Sequence, residues 1–502
     1  MAYSFIPAAL EEHHGIGVYI RHRQRKGHHI SIIEHRGPRG VHLDCPDREI
    51  FITRNASNMH WNHSPTTGIY DEYVDLDPFR GALTVDGVPH PLIMANAVAQ
   101  GFRTKGLQYL PRRHLPKEHR YGIPQVITDS GGFQVAFQKV DFIDPINLVE
   151  HYNASADIGV ALDTPPVACG LKDTLKAARI QALNSEKMLQ LKDASLSLMN
   201  VIHGGMGYMD EYRKVVERPD MDRVSISGLA RDGYPPISAM EIMWKLRKGM
   251  PYKHYHGLGI QNLAYVIPFI HLASLPAFKD ALVTTDASTA VRQASFGKFW
   301  AVDLFSGNLD TSDGYAPINR PRMFGPSPQL PCQCPLCRAV KYTDVLYALS
   351  KTGGTSAYMI ALHNVYTVLA YMKRIQAMVT ELDYKDFRKE VLNDIPKKYH
   401  AEVLAACDYN QEMQAEGVGN NLHSSATPRV RKAAPTDMFA VASNEASPSF
   451  LHKVFAKYHK YHGIKEPNDA NANKRSKLRK PSGLARSAKA GKRKPVKGKR
   501  KG

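Results

Sequence analysis

The sequence predicts an α/β protein whose centre is a closed (β/α)8 barrel in preference to an open doubly wound sheet, and three observations carry that prediction. Between about residues 90 and 305, short β-branched apolar runs recur: PLIMANAV, QVITDS, IGVALD, LMNVIH, RVSISGL, HYHGLGI and ALVTTDA. Segments with a helical pattern, such as DTLKAARIQALNSEKMLQL and AMEIMWKLRKGM, lie between most of them. Strand, helix, strand repeated in this way argues a parallel sheet with helices outside it. The runs also end on acids, a histidine and glycines, at the strand ends where a barrel assembles its chemistry. Seven runs are visible in this region, and REIFITR, residues 48–54, supplies the eighth strand.

Taken in order, residues 1–85 are rich in His and Arg, with IRHRQRKGHHISIIEH the densest part. Nine histidines fall within the first 63 residues without a tight ligand spacing, so the region reads as a basic surface that also contributes to the barrel. Residues 86–310 carry the barrel itself. A zinc-binding and helical subdomain is expected over 311–415. A polar Ser/Asn/Ala-rich linker with the short helix SFLHKVFAKYHKYH follows over 416–470, and a basic tail over 471–502. Of the net charge of +19, the stretch from Lys474 onward supplies +14 with no acid, which leaves about +5 for the rest. Pro, Gly, Ser and Ala interleave those cations, so the tail cannot bury a core and is expected to be disordered. Such a tail suits a phosphate backbone, giving affinity without specificity, or serves only to solubilise the chain.

A hydrophobic content of 43% fits a globular protein. No apolar run reaches the roughly 18 residues a spanning helix needs, so no membrane partner is expected. The opening MAYSFIPAALEEHH lacks a basic n-region followed by an apolar stretch, which points to the cytoplasm rather than to secretion. Six cysteines are present, and Cys332, Cys334 and Cys337 crowd together while Cys45, Cys169 and Cys407 are scattered. That pattern suits a metal site in a reducing compartment better than a disulfide framework.

The candidate site is read from the strand ends: Asp129 with Ser130, Gly131 and Gly132; Asp163; His203 with Gly204 and Gly205; Gly228 with Leu229; Gly257 and Gly259; Asp286. Asp-Ser-Gly-Gly alone is ordinary turn chemistry, and a lone acid at a strand end is usually a helix cap. Acids, a histidine and glycines converging on one rim point instead to catalysis. In ITDSGGFQV the glycines let the backbone turn tightly or let something flat approach, and Phe133 would sit beside whatever the carboxylate addresses.

PCQCPLCRAV sets Cys332, Cys334 and Cys337 in a C-x-C-x-x-C loop. Thiolates so spaced face a common ion, and tetrahedral zinc takes a fourth ligand. His363, the conspicuous polar residue of SAYMIALHNVYTVLAYM, is the expected fourth, closing a structural Zn2+ site with no open position.

In this order, DSGGFQ, the acid of VALD, IHGG, SGLA, DASTAVR and CQCPLC…ALHN resemble the tRNA-guanine transglycosylase family over about residues 90–370. The intervals of 26 from Cys337 to His363 and of six from Asp286 to Arg292 match the family's. The resemblance implies a pentosyltransferase that exchanges a guanine in nucleic acid for a free 7-deazaguanine such as 7-cyano-7-deazaguanine. It implies Asp286 as the nucleophile on the anomeric carbon and Asp129 as the general acid/base. Asp163 would grip the amino-pyrimidine edge, Gly228 and Leu229 would make backbone contacts to the base, and Phe133 would stack on it. Ser130, His203, Gly204, His256 and Arg292 complete the expected substrate-binding set. Breaking an N-glycosidic bond builds positive charge on the sugar, which a carboxylate stabilises or bonds, and the departing purine needs a proton. The base must leave its stack to be reached.

Four features depart from the family. His203 stands where a Gln usually precedes the Gly-Gly, and ASTAVR replaces a proline-containing run. No TPxFMPVGT-like opening is recognisable, and His256 takes the place of a thioether that closes the base pocket. Diverged edges around a kept core resemble the DNA-acting branch found in phages and bacterial DNA-modification systems, so duplex DNA is the favoured polymer. The alternatives are a tRNA enzyme and a noncatalytic partner subunit of the family, the latter disfavoured by the presence of all three acids. The oligomeric state stays open.

Overall fold

The computed structural model of the chain describes, with side chains, most of residues 125–287 and parts of 363–417 and 448–464. Within 125–287, residues 133–141, 166–169, 204–207, 230–234 and 261–262 are outside the described set; of residues 1–124 and 288–317 it describes strand backbone.

Eight strands form one sheet: β1 (Tyr3–Pro7), β2 (Leu92–Asn96), β3 (Gln125–Asp129), β4 (Ile158–Val160), β5 (Ser197–His203), β6 (Arg223–Ser227), β7 (His254–Gly257) and β8 (Leu282–Ala287). Their order is β1-β8-β7-β6-β5-β4-β3-β2, and every neighbouring pair is parallel. The sheet curls until its two outer strands, β1 and β2, lie alongside each other. The protein is thus α/β, with a curled parallel sheet flanked by helices.

All seven runs read from the sequence between 90 and 305 are strands of this sheet. The eighth is not REIFITR. Arg48–Thr53 is a strand, but it pairs antiparallel in a separate five-stranded sheet with Gly17–His22, Gly40–Asp44 and, through them, Ser31–Glu34 and Glu72–Asp75. The physical reason lies in connection length. The links from His22 to Ser31, Glu34 to Gly40 and Asp44 to Arg48 are shorter than the dozen or so residues a parallel crossover needs. Tyr3–Pro7 takes the vacant place, pairing Ile6 with Asp286.

The helices follow the expected logic. In α1 (Pro145–Ser155) Pro145 opens the first turn, and the Asp144 side chain caps it by accepting from the Ile146 N–H at 2.9 Å. In α2 (Leu171–Leu191) Thr174, Ala177, Ala178, Gln181, Ser185 and Met188 recur at helical spacing and form the buried face. Three further helices, α3 (Met209–Val216), α4 (Pro236–Gly249) and α5 (Leu263–Ser274), complete the layer around β5 to β8. Beyond the sheet, α6 (Tyr384–Asp394) and α7 (His400–Glu416) pack outside, and α7 is latched by Asn410. Its Oδ1 accepts from the buried Trp244 indole at 3.0 Å, and its Nδ2 donates to the Pro268 carbonyl at 3.1 Å. The last helix, α8 (Pro448–Tyr461), returns to the start of α1, where the Tyr458 hydroxyl meets both the N–H and the C=O of Ile143.

Alternation along the strands gives each a helix-facing and an inner side. Leu198, Ile202, Val224, Ile226, Tyr255 and Val283 face the helices in the main core. Ile127, Ile158, Val160, Met199 and Val201 form a second, smaller cluster on the inner side, with Leu258 and Leu282 against it. Thr284 and Asp286 follow Leu282 at intervals of two and so share its side. Among the described residues no helix is long and apolar enough to cross a membrane.

Candidate functional site

Because the strands are parallel, Asp129, His203, Ser227, Gly257 and Asp286 all lie at one edge of the sheet. The side chains there gather into two groups, one on β3 to β5 and one on β7 and β8.

The first group explains ITDSGG. Asp129 sits half-buried at the tip of β3. Gly131 turns the chain at a φ of 86°, in the left-handed region that favours glycine. A Cβ built on Gly132 would lie 2.0 Å from Asp163 Oδ1, so the glycine is required by the carboxylate that packs against it. The Ser130 hydroxyl donates to the same oxygen at 3.1 Å and accepts from the Gly132 N–H at 3.2 Å. On its other side, Asp163 Oδ2 lies 3.0 Å from His203 Nε2, an approach too oblique for a well-formed hydrogen bond. The His203 ring also meets Tyr212 edge-on, with centroids 5.4 Å apart.

Two buried phenols back this group. Burial, and then the charges of Asp129 and Asp163, hold Tyr152 well above its usual pKa. Burial and then Asp163 do the same to Tyr212. Both phenols therefore stay neutral donors, Tyr152 to the Val160 carbonyl at 2.9 Å and Tyr212 to Gln181 Oε1. That Asp129 and Asp163 act on one phenol puts the two acids in one neighbourhood.

The second group centres on Asp286, which is 8% exposed. Its Oδ1 accepts from the Gly259 N–H at 2.6 Å, and Gly259 offers that N–H from a backbone at φ 68°. His256 Nε2 lies 3.3 Å from the same oxygen, again off the line of a good hydrogen bond. His256 is fully buried, with its ring held from the far side by Thr284. Between the groups, Gly228 turns at φ 86° after β6, while the Leu229 side chain is buried in the helix-facing core.

Of the expected site residues, the fold thus brings Asp129, Ser130, Asp163 and His203 together, and places Asp286 beside His256. Phe133, Gly204 and Arg292 lie outside the described residues. Sequence reading passed over His254, Thr284, Tyr152 and Tyr212. A signal existed for two of them: His254 is two residues before His256, and Thr284 two before Asp286, so each pair shares a strand face.

The zinc expectation needs correction. Among the described residues, no group of three or more His, Cys, Asp or Glu side chains could hold a metal ion. Cys332, Cys334 and Cys337 lie outside the described residues. His363 is described, and it is a buried residue of a helical turn beside Asn364 and Val365. Spacing in the sequence does not by itself bring ligands together.

Compared with models of known protein families, and with curated proteins, the chain gives no match.

Proposed function

We propose that this chain is a guanine transglycosylase built on a closed (β/α)8 barrel, exchanging guanine in DNA for a 7-deazaguanine base through a covalent Asp286–nucleoside intermediate. The observation that carries the reading is the division of labour at one sheet edge. Asp163 is wedged against Gly132 and braced by Ser130 and His203, which suits a fixed acceptor for a flat, donor-rich base edge. Asp286 has one oxygen occupied by the Gly259 N–H, which suits an oriented nucleophile. Asp129 stands at the tip of β3 in the Asp163 neighbourhood, where a carboxyl can pass a proton to the departing purine.

In the proposed reaction, an Asp286 oxygen forms a bond to C1′ as the C1′–N9 bond breaks. The electron pair leaves with guanine, which takes a proton from Asp129. The incoming base then returns that proton to Asp129 and attacks C1′, and the ester bond to Asp286 breaks. The strand is never cut. Tyr152 and Tyr212, both buried and neutral, back the proposed base site on the Asp163 side.

Duplex DNA is the preferred polymer because the kept core with diverged edges resembles the DNA-acting branch, and the basic tail from Lys474 onward would hold its phosphates without reading sequence. The test mixes the full chain with isotopically labelled guanine and with either duplex DNA or transfer RNA. Label entering DNA supports the proposal, label entering only transfer RNA reassigns the polymer, and label in neither rejects base exchange.

A further inference from the structure

Four buried side chains form a line across β7 and β8. His254 Nε2 lies 2.6 Å from Thr284 Oγ1, and the same hydroxyl lies 2.7 Å from His256 Nδ1. His256 Nε2 then faces Asp286 Oδ1 at 3.3 Å, and that oxygen also accepts the Gly259 N–H. The four residues are between 0% and 8% exposed, so water does not compete for these contacts.

With both rings neutral, counting protons fixes the line's direction. A hydroxyl carries one proton, so Thr284 donates to one ring and accepts from the other. If Thr284 donates to His254, then His256 carries its proton on Nδ1 and turns the bare Nε2 lone pair toward the Asp286 oxygen. An ionised carboxylate repels that arrangement. If Thr284 instead donates to His256 Nδ1, His254 donates from Nε2 and the His256 proton sits on Nε2, pointing at Asp286. This second arrangement satisfies the ring nitrogens that touch Thr284 and presents a donor to the acid. Burial first, then His256 and Arg223, hold the pKa of His254 well below 6.5, so this ring stays neutral in either arrangement. Among the described residues, the charged and titratable groups facing the line are Arg223 from β6, the two histidines from β7 and Asp286 from β8.

We infer that His254, Thr284 and His256 are positioning residues that lock His256 in its Nε2–H tautomer, so that His256 and the Gly259 N–H together hold Asp286 by Oδ1 and leave Oδ2 to attack. The tautomer stands on geometry alone; the attacking role of Oδ2 rests on the transglycosylase reading. When Oδ2 bonds to C1′, Oδ1 becomes the ester carbonyl. When the incoming base breaks that bond, the electron pair returns to the carboxylate and its charge spreads onto Oδ1, where two aimed donors receive it. Donors preorganised for developing charge favour the transition state over the ground state. The oblique 3.3 Å contact is expected to straighten as that charge grows.

Two readouts test this separately. In the full chain with 15N-labelled histidine, ring-nitrogen spectra near pH 7 should show both His254 and His256 as neutral Nε2–H tautomers, assigned by their loss in His254→Asn and His256→Asn. An Nδ1–H tautomer at His256 in the unaltered protein overturns the inference, whatever the protein catalyses. In the labelled-guanine assay on duplex DNA, Thr284→Val should lower kcat about 10- to 100-fold, the usual scale for a supporting hydrogen bond. KM for guanine should stay within about twofold, since uniform binding is untouched. Thr284→Ser, which keeps the hydroxyl, should restore kcat. A Thr284→Val enzyme with unchanged kcat overturns the positioning role. Absence of exchange in the unaltered protein rejects the transglycosylase reading instead, and the spectra then decide the tautomer alone.

Discussion

On the β3 to β5 side, the inner face of the sheet is Ile127, Ile158, Val160, Met199 and Val201; on the β7 and β8 side the corresponding positions are His254, His256 and Thr284. Both sides are buried, and only one is cheap. The apolar side gains from leaving water and from close packing. On the polar side every ring nitrogen and hydroxyl must find a partner, and His254 Nδ1 has no hydrogen bond while the His256 Nε2 contact is oblique. An unsatisfied buried polar atom costs about 1–3 kcal/mol, so nothing about stability favours this composition. The polar side ends at Asp286, and the apolar side ends at Asp129 and His203. The difference teaches that the sheet supports its two acidic stations by different means. Asp163 is held from the rim itself, by Ser130, Gly132 and His203, over an inert floor. Asp286 is held from below, through the interior.

The comparison breaks most directly at Asp286. Asp286→Asn keeps the shape and the Gly259 contact but removes the charge proposed to act as nucleophile. Exchange of labelled guanine should fall by about 10⁴-fold or more, a loss typical of a residue without which the step has no route. Circular dichroism and the melting temperature should stay near those of the parent. Turnover within tenfold of the parent would move the nucleophile elsewhere.

On the other station, Gly132→Ala drives a methyl against Asp163 Oδ1, where 2.0 Å is available. The carboxylate must shift, and a displacement near 1 Å in a positioning group costs about 10²-fold. The loss should appear chiefly in KM for the free base, because Asp163 is proposed to bind it. An unchanged KM would mean that Asp163 braces the rim and touches no base.

How much of this was legible beforehand follows the same division. The seven strands from Leu92 to Ala287 were readable because β-branched runs between helical segments have few other packings, and the helices over α2 and α4 were readable from their spacing. The partner of REIFITR was not, since a strand's sequence states its pleat and not its neighbour; Tyr3–Pro7 pairs with β8, the last strand of the sheet in sequence order. Asp129, Asp163 and Asp286 stood out because acids punctuate apolar runs. Thr284 and His254 did not, because their meaning lies in a contact between adjacent strands, Thr284 with His256, that only the register creates. The cysteine triplet was the plainest pattern in the chain, yet spacing speaks of ligand types and not of a fourth ligand's position in space.

A smaller effect sharpens the contrast between the two inner faces. Val201→Ala opens a cavity under the apolar station and should lower stability by about 2 kcal/mol in denaturant unfolding. Its kcat and pH profile should match the parent, because Val201 belongs to the inert floor. Val201→Ala and Thr284→Val share no partner, so their stability losses should add within about 0.5 kcal/mol. A Val201→Ala enzyme with a shifted pH profile would show that the floor is not inert.

The smallest effect is in acid, and its sign follows from His254. Burial keeps that ring neutral in the folded protein, with a pKa below the 6.5 of the unfolded chain. Above pH 6.5 neither state binds the proton, and the full stability is present. Below it the unfolded chain takes up a proton that the fold refuses, so stability falls as the pH drops, by at most about 1.4 kcal/mol per unit for one site. His271 and His462, both lowered to about 4 chiefly by burial, add to the same slope from outside the sheet's inner face. His254→Gln removes one of the contributing rings and keeps an amide that can reach Thr284. Unfolding midpoints measured from pH 7 to pH 5 should therefore fall less steeply in His254→Gln than in the parent, by up to one proton's worth. Equal slopes would mean that His254 takes up its proton in the folded protein as readily as in the unfolded chain, and the polar side of the interior would then hold a buried cation in place of a neutral ring.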